Sequence, residues 1–196
     1  MTTLFHHCVG ELSDERESAR SQWRKRVLLV GGGFQVAFGA WWLVRGLAPL
    51  TSLLVAGLVG VLVVLGGITV TSSVLASAPR PQGTEASRIE RRLSVATVLQ
   101  LTASVLVPWG LDSLHWHRLS LGFVMASIGL LLIWIHREVD SPFQGTAGTI
   151  LVGFALVTVG LSGSAQTVVA GISSAAVLLS CAGAGYHWLE HHELED

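Results

Sequence analysis

The chain has 196 residues, of which 51% are hydrophobic and only 13% are charged, and its formal net charge is −1. An average soluble domain carries about 25% charged residues, so this composition excludes an ordinary water-soluble fold and indicates a membrane protein. The near-zero net charge gives no support to a nucleic-acid partner.

The chain opens with a polar arm, residues 1–26, whose second half is densely charged. A cleaved signal peptide has a short basic start and then an apolar stretch, and this arm has neither. We expect a helix from about Ser13, capped by that residue and continuing into the first apolar run. We expect the basic side chains of this arm to contact lipid headgroups, with docking to a partner as the alternative.

Long runs without charged residues follow, and a bilayer core about 30 Å thick needs roughly 20 apolar residues in a helix. The segment 141–189 holds no Asp, Glu, Lys or Arg and contains the turn Ser162–Gln166, so we divide it into two spans. Barrel strands alternate apolar and polar residues, and these runs do not. The sequence therefore predicts an all-α bundle of six transmembrane helices in a domain from 27 to 188, followed by a tail, 189–196. The spans are about 27–45, 51–73, 93–111, 119–136, 148–161 and 167–187.

The basic residues predict the orientation, because Lys and Arg accumulate in cytoplasmic loops. With the N-terminus inside, only Arg45 and Arg118 of the 12 basic residues lie outside. The others are Arg16, Arg20, Arg24, Lys25, Arg26, Arg80, Arg88, Arg91, Arg92 and Arg137. We therefore expect a protein of the plasma membrane with both termini in the cytoplasm. Short outer and longer inner connections, with residues 136–147 as an inner loop, give three consecutive helical hairpins.

Tryptophan residues fall near the predicted ends of the spans. We expect all seven to act as interfacial anchors, because amphipathic rings settle at the membrane–water boundary. Those at predicted outer ends are Trp41, Trp42, Trp109 and Trp116, and those at inner ends are Trp23, Trp134 and Trp188.

Small residues four apart predict helix contacts, because helices in lipid associate by close packing at small side chains. We expect these pairs to pack within the chain or between subunits. The pairs are Gly33 with Ala37, Ala56 with Gly60, Gly171 with Ala175, and Cys181 with Gly185. The other cysteine, Cys8, lies in the polar arm, so we do not predict a disulfide.

No charged residue lies in the middle of a predicted span, which argues against an ion-coupled transporter, since such proteins keep buried charges for function. The main polar candidates in or near the middle of the spans are Gln35, Thr97, Gln100 and Thr102. We expect them to form interhelical hydrogen bonds, and a pore lined by such groups is the alternative.

Histidine supplies the remaining chemistry. His187 and His191 lie four residues apart, a spacing that can hold a divalent metal, with Glu190 and His192 as further candidates. A haem between His136 and His187 is a second hypothesis, and solvated histidines are the alternative to both. No HExxH, P-loop, GxSxG or dinucleotide motif occurs, which gives no support to an enzyme.

Three functions remain open from the sequence. The first is a non-enzymatic accessory or structural subunit of a membrane complex, or a self-assembling one, that works by helix packing. We expect its partners to be the lipid bilayer and either copies of itself or other membrane subunits. The second is a small channel or facilitator for ions or small solutes, and the third is a histidine-ligated haem or metal protein.

Overall fold

A computed structural model describes residues 2–50, 62, 65, 66, 69 and 81–192, with side chains from Asp14 to His191 within these ranges. This part of the chain is helical apart from short connections, and it contains no strand. The all-α prediction is therefore confirmed. The helices are α1 (Thr2–Arg26), α2 (Gly32–Leu47), α3 (Thr84–Ser113), α4 (His117–Val139), α5 (Pro142–Val159) and α6 (Gly163–His192). A π-helical turn, Val27–Gly31, joins α1 to α2, and a 3₁₀ turn, Ala48–Leu50, follows α2.

Five helical segments of the described chain are long and apolar enough to cross a membrane, where the sequence predicts six. They are Asp14–Leu50, Thr84–Ser113, His117–Val139, Pro142–Val159 and Gly163–His191. The predicted second span, 51–73, lies outside the described residues except for Leu62, Leu65, Gly66 and Thr69.

The polar arm and the first span are one continuous helical segment. It begins at Thr2 rather than near Ser13, so the expected cap at Ser13 is wrong. Where the two parts join, the π-helical turn widens the helix. The carbonyl of Leu29 in this turn accepts a hydrogen bond from the Tyr186 hydroxyl at 3.2 Å, which ties the start of α2 to the end of α6.

The connection between α4 and α5 is far shorter than the predicted inner loop of residues 136–147. Asp140 closes α4 in the left-handed conformation, with φ of 55°, and its N–H donates to the carbonyl of His136 at 2.7 Å. Pro142 then opens α5, a position that suits proline because its fixed φ is helical and its missing N–H is not needed there. The fifth helix therefore covers Pro142–Val159 rather than 148–161.

Helices α2 and α6 pack antiparallel along three glycines of α2. A Cβ atom added to Gly32 would contact the ring of Tyr186, and one added to Gly39 would contact Leu178 and Leu179. At Gly46 a Cβ atom would lie 2.9 Å from the Cα of Gly171. Only backbone atoms fit there, so the two helices touch directly.

Helices α4 and α5 form the second close pair. A Cβ atom added to Gly129 would lie 2.7 Å from the carbonyl oxygen of Gly148. The closest backbone contacts therefore join α2 to α6 and α4 to α5, which belong to different predicted hairpins. Helices α3 and α4 do form an antiparallel hairpin, with Ser104 beside Ser127 in its middle and Arg92 beside Glu138 at one end.

These contacts place the helix ends on two sides of the bundle. We call one side of the bundle the basic end. It contains the end of α1, the starts of α2, α3 and α5, and the ends of α4 and α6. It carries every described Lys and Arg except Arg45 and Arg118. We call the opposite side, where α2 ends and α6 begins, the outer end, after the orientation that the sequence predicts.

The basic end has a hydrophobic core of its own. Its buried members are Ala19, Trp23, Ala86, Ile89 and Val139, contributed by α1, α3 and α4. The larger core, which includes Met125, Leu151 and Leu178, lies among α2, α4, α5 and α6.

Candidate functional site

Three helices meet at a buried group of polar side chains, Gln35 of α2, Gln144 of α5 and Cys181 of α6, which we call the amide–thiol cluster. The Nε2 of Gln35 donates to the Oε1 of Gln144 at 2.6 Å. The Sγ of Cys181 lies 3.6 Å from the same oxygen and 3.4 Å from the carbonyl of Phe143. Gln35 is 4% exposed and Gln144 is 1% exposed, so these hydrogen bonds form without competition from water.

Several buried polar atoms of the described chain lack a hydrogen-bond partner: Gln35 Oε1, Ser141 Oγ, Trp42 Nε1 and Ser174 Oγ. A buried polar atom without a partner costs about 1–3 kcal/mol. Gln35 Oε1 belongs to the amide–thiol cluster. Trp42 and Ser174 lie two helical turns nearer the outer end, along α2 and α6. The polar groups thus extend along the axis of the bundle.

A cavity of about 470 Å³ lies at the outer end, and we call it the outer cavity. Asp112 organises one wall, because its Oδ1 lies 3.0 Å from Nδ1 of His117 and accepts a hydrogen bond from Ser120 at 2.6 Å. Arg45 and Gln166 line the cavity as well, together with the aromatic and apolar residues Phe38, Trp41, Trp42, Pro108, Leu121 and Val124. The outer cavity therefore presents both charges and amides to a solute.

Apolar side chains fill the centre of the bundle. Met125, Leu151 and Leu178 are fully buried in the same core that contains Trp42 and Cys181. The amide–thiol cluster is surrounded by these apolar side chains, so it joins three helices rather than lining an open channel.

The other polar residues singled out in the sequence bond locally. Gln100 donates to the hydroxyl of Ser104 at 2.8 Å, and Ser104 shares a 3.0 Å hydrogen bond with Ser127 of α4. Thr97 donates to the carbonyl of Leu93 in its own helix at 2.8 Å, and Thr102 is exposed.

The histidine candidates lie at the basic end. His136 Nδ1 is 3.0 Å from the carbonyl oxygen of Ser141, and its ring lies against Gly145. His187 stacks edge-on against His191, with ring centroids 4.2 Å apart. Glu190 is exposed, and the side chain of His192 lies outside the described part. Among the described residues, no group of three or more His, Cys, Asp or Glu could hold a metal ion. The metal and haem hypotheses stay predictions, which metal analysis and absorption in the Soret region would test.

The predicted packing residues occupy several environments. Gly171 lies against Gly46, and an added Cβ at Gly185 would lie 2.9 Å from Leu28. The other described positions are Gly33, Ala175 and Cys181, which are buried, and Ala37, which is half-buried. Ala56 and Gly60 lie outside the described residues.

Two tryptophans have a different role from the predicted interfacial anchor. Trp42 is 4% exposed inside the main core. Trp23 is 7% exposed, and its Nε1 donates to the carbonyl of Ala86 at 3.0 Å. Both rings are therefore buried against neighbouring helices, Trp42 in the main core and Trp23 in the core of the basic end. In contrast, Trp109 and Trp116 are 73% and 58% exposed.

Polar contacts beside Trp23 attach the arm to the rest of the protein. The Nε of Arg24 donates to the carbonyl of Val139 at 3.1 Å, and its Nη2 lies 3.3 Å from a carboxylate oxygen of Asp140. Thr84 donates to Glu15 at 3.3 Å. One face of the arm therefore docks onto α3 and α4 between Glu15 and Arg24, and the contact of its basic side chains with lipid headgroups stays a prediction.

Sequence reasoning missed Gln144, because that residue fell in a predicted loop. The signal that could have found it is Pro142, since a proline at the first helical position of a charge-free run starts the helix there. Gln144 then lies in the first turn of α5 and points at α2 and α6.

Comparison of the chain with protein-family models, with curated proteins and with solved structures gave no match.

Proposed function

We propose that this protein is a six-span protein of the plasma membrane, with both termini in the cytoplasm, that acts as an accessory or structural subunit of a membrane complex. The complex is formed either with other membrane subunits or with further copies of this chain. The protein works through helix packing rather than through catalysis.

Connectivity supports the sixth span. Leu50 ends the first helical segment at the outer end, and Thr84 begins α3 at the basic end, where Glu15 contacts it. The two described ends that flank the predicted span 51–73 therefore lie on opposite sides of the bundle, as a sixth span requires. The charge distribution supports the orientation, because the basic end carries all but two of the described Lys and Arg residues.

The exposure of α3 is the observation that carries the assembly proposal. In the most apolar stretch of this helix no residue is buried, while the corresponding stretch of α6 is 50% buried. Val98, Val105 and Leu106 are 61%, 68% and 56% exposed. This helix therefore presents a long apolar surface that can pack against another membrane helix.

The polar interior supports a non-enzymatic role. The buried polar residues of the described chain are Gln35, Ser141, Gln144, Thr158, Gln166, Ser173 and Ser174, all uncharged. Uncharged amides and hydroxyls suit interhelical hydrogen bonding. General acid–base chemistry is usually carried by titratable groups such as His, Asp, Glu and Lys, and ion coupling by charged groups.

Cross-linking through α3 tests the assembly proposal. In a background without native cysteines, a Val105→Cys variant is oxidised in the membrane and then purified in mild detergent. We expect a cross-linked homodimer or a stoichiometric cross-linked partner. A Leu156→Cys variant on α5, where the native side chain is 75% exposed, is the control for random collision. A monomer without a partner, or equal cross-linking at both positions, would count against the proposal.

A facilitator for small polar solutes is the second candidate, favoured by the outer cavity and by the unpaired polar atoms of Trp42 and Ser174. Proteoliposomes test it directly through the efflux of small labelled solutes. Efflux above that of empty liposomes supports a facilitator, and equal rates exclude one for the solutes tested.

A further inference from the structure

A groove of about 760 Å³ runs along the α3–α4 hairpin, and we call it the hairpin groove. Its α3 wall follows one helix face at intervals of four residues, through Val95, Leu99 and Ala103, and Leu130 and Trp134 line the α4 wall. Val95, Leu99 and Leu130 are 52%, 64% and 60% exposed. The groove is therefore apolar and open to the surroundings of the bundle.

Arginines line the hairpin groove at the basic end: Arg88, Arg91 and Arg92. Arg92 pairs with Glu138 at 3.2 Å, and Arg88 forms an exposed pair with Glu85 at 3.4 Å. Exposed pairs of the latter kind are weak. Arg91 is exposed and has no ion pair with another described residue. Guanidinium groups at this end of the groove, which we call its mouth, can therefore donate hydrogen bonds to an anion.

The length of the groove matches one leaflet of a bilayer. Arg92 and Ala103 are separated by 11 helical residues, which corresponds to about 17 Å at 1.5 Å per residue. One leaflet of hydrocarbon is about 15 Å deep, half of the 30 Å core. The groove ends near the hydrogen-bonded group of Gln100, Ser104 and Ser127. Trp134 lies near the arginine end, where indole rings prefer the boundary between headgroups and acyl chains.

We propose that the hairpin groove binds an anionic phospholipid of the surrounding bilayer. One acyl chain lies along Val95, Leu99 and Ala103, and the phosphate accepts hydrogen bonds from Arg91 and Arg88. Guanidinium groups suit this role because their planar N–H donors match phosphate oxygens. The charge at the mouth selects an anionic lipid over a zwitterionic one.

A second groove supplies the control. It lies between α5 and α6, has a volume of about 490 Å³, and is lined by ten residues, among them Phe143, Ile150 and Ala176. None of the residues that line it is basic. It should therefore accept apolar chains without distinguishing headgroup charge.

Native mass spectrometry in mild detergent tests the proposal by titration of phosphatidylglycerol against phosphatidylcholine with the same acyl chains. The Arg88→Gln/Arg91→Gln double variant should weaken phosphatidylglycerol binding by about tenfold or more, since both charge-assisted hydrogen bonds to the phosphate are lost. An Ala103→Trp variant fills the apolar part of the groove and should weaken the same binding without changing the charge.

Two matched variants leave the hairpin groove intact. Arg137→Gln removes a charge from the same end of the protein, and Ala176→Trp fills the α5–α6 groove; both should retain the wild-type preference for phosphatidylglycerol over phosphatidylcholine. The proposal fails if phosphatidylcholine binds equally well, or if Arg137→Gln weakens binding as much as the double variant, which would indicate diffuse surface charge. It also fails if neither groove variant changes binding, or if a second copy of the chain occupies the groove, as cross-linking from a Leu99→Cys variant would reveal.

Discussion

Gln35 and Gln144 join α2 to α5, two helices whose close backbone contacts are made with other partners, α6 and α4. Their 2.6 Å hydrogen bond is buried, and Cys181 extends it to α6. In lipid such a bond contributes about 0.6 kcal/mol on average, because helices separated in the membrane find other partners. Leaving one amide without its partner costs more than the bond itself contributes. The pair therefore specifies which helices meet more than it stabilises the bundle.

Replacement of these two residues tests that interpretation. Gln144→Leu leaves the amide of Gln35 without its partner and should lower the free energy of unfolding by about 1–3 kcal/mol. The Gln35→Leu/Gln144→Leu double variant should lose less than the sum of the single losses, with a coupling energy of about 1 kcal/mol. Thermal unfolding in detergent, followed by tryptophan fluorescence, measures all four proteins.

Gln100→Leu is the control: among the described residues that amide donates to Ser104 of its own helix, so its loss should change stability by less than about 0.5 kcal/mol. Strict additivity of the two cluster variants would show that the amides act independently.

Sequence reasoning identified Gln35 as an interhelical hydrogen-bond candidate but could not name its partner. The partner lies 109 residues away, and nothing in the local pattern of Gln144 indicates which helix it faces. The orientation of the Trp42 ring could not be predicted from the sequence either. Its position near a helix end is visible in the sequence, while the direction of its ring depends on how α2 rotates against α6.

At the scale of helices, close approach at glycine organises the bundle. The predicted small residues are spaced by four, yet the α2 glycines that face α6 are spaced by seven: Gly32, Gly39 and Gly46. A spacing of seven keeps one face toward a partner that crosses at a small angle. Gly46 and Gly171 make the closest of these approaches.

Alanine substitutions on α6 distinguish a glycine that contacts another helix from one that does not. Gly171→Ala places a methyl group against the backbone of Gly46 and should destabilise the protein by about 1–3 kcal/mol, because overpacking displaces the helix. Gly183→Ala, on the same helix with no atom within 4 Å of the added Cβ, should be neutral or stabilise by up to about 1 kcal/mol. Equal thermal midpoints for the two variants would refute direct contact between α2 and α6.

The arm forms a second packing unit, through Trp23, Ala86 and Val139. The sequence predicted a helix here and missed its docking, because the arm as a whole is polar and only a few of its residues turn inward. Trp23 is the largest of these and combines apolar burial with a hydrogen bond.

Removal of this ring should release the arm. In Trp23→Ala we expect trypsin to cleave after Arg16 or Arg20 at least about tenfold faster than in the wild type, since loss of a buried aromatic ring costs about 3 kcal/mol or more. The assay uses inside-out vesicles, in which the basic end faces the protease. Trp109→Ala, which removes an exposed ring, should leave cleavage unchanged. An unchanged rate in Trp23→Ala would mean that the arm does not dock.

At the scale of the whole molecule, the structure separates a basic end from an outer end. The sequence predicted this division well, because apolar runs and basic clusters are local features that the bilayer imposes. It did not predict that α2 packs against α6 or that only two residues separate α4 from α5. The first depends on long-range packing, and the second on the two-residue junction of Asp140 and Ser141.

The most direct test of the central claim, a membrane bundle with an even number of spans and its basic end in the cytoplasm, is cysteine accessibility in intact cells. Single cysteines replace Gln82, Ser162 and Glu190 in a background without native cysteines; Gln82 is chosen because its neighbour Gly83 has a positive φ that disfavours side chains. We predict that a membrane-impermeant maleimide labels the Ser162→Cys protein from outside and labels the other two only after permeabilisation. Labelling of the Gln82→Cys protein from outside, or of the Gln82→Cys and Glu190→Cys proteins from opposite sides, would contradict the account.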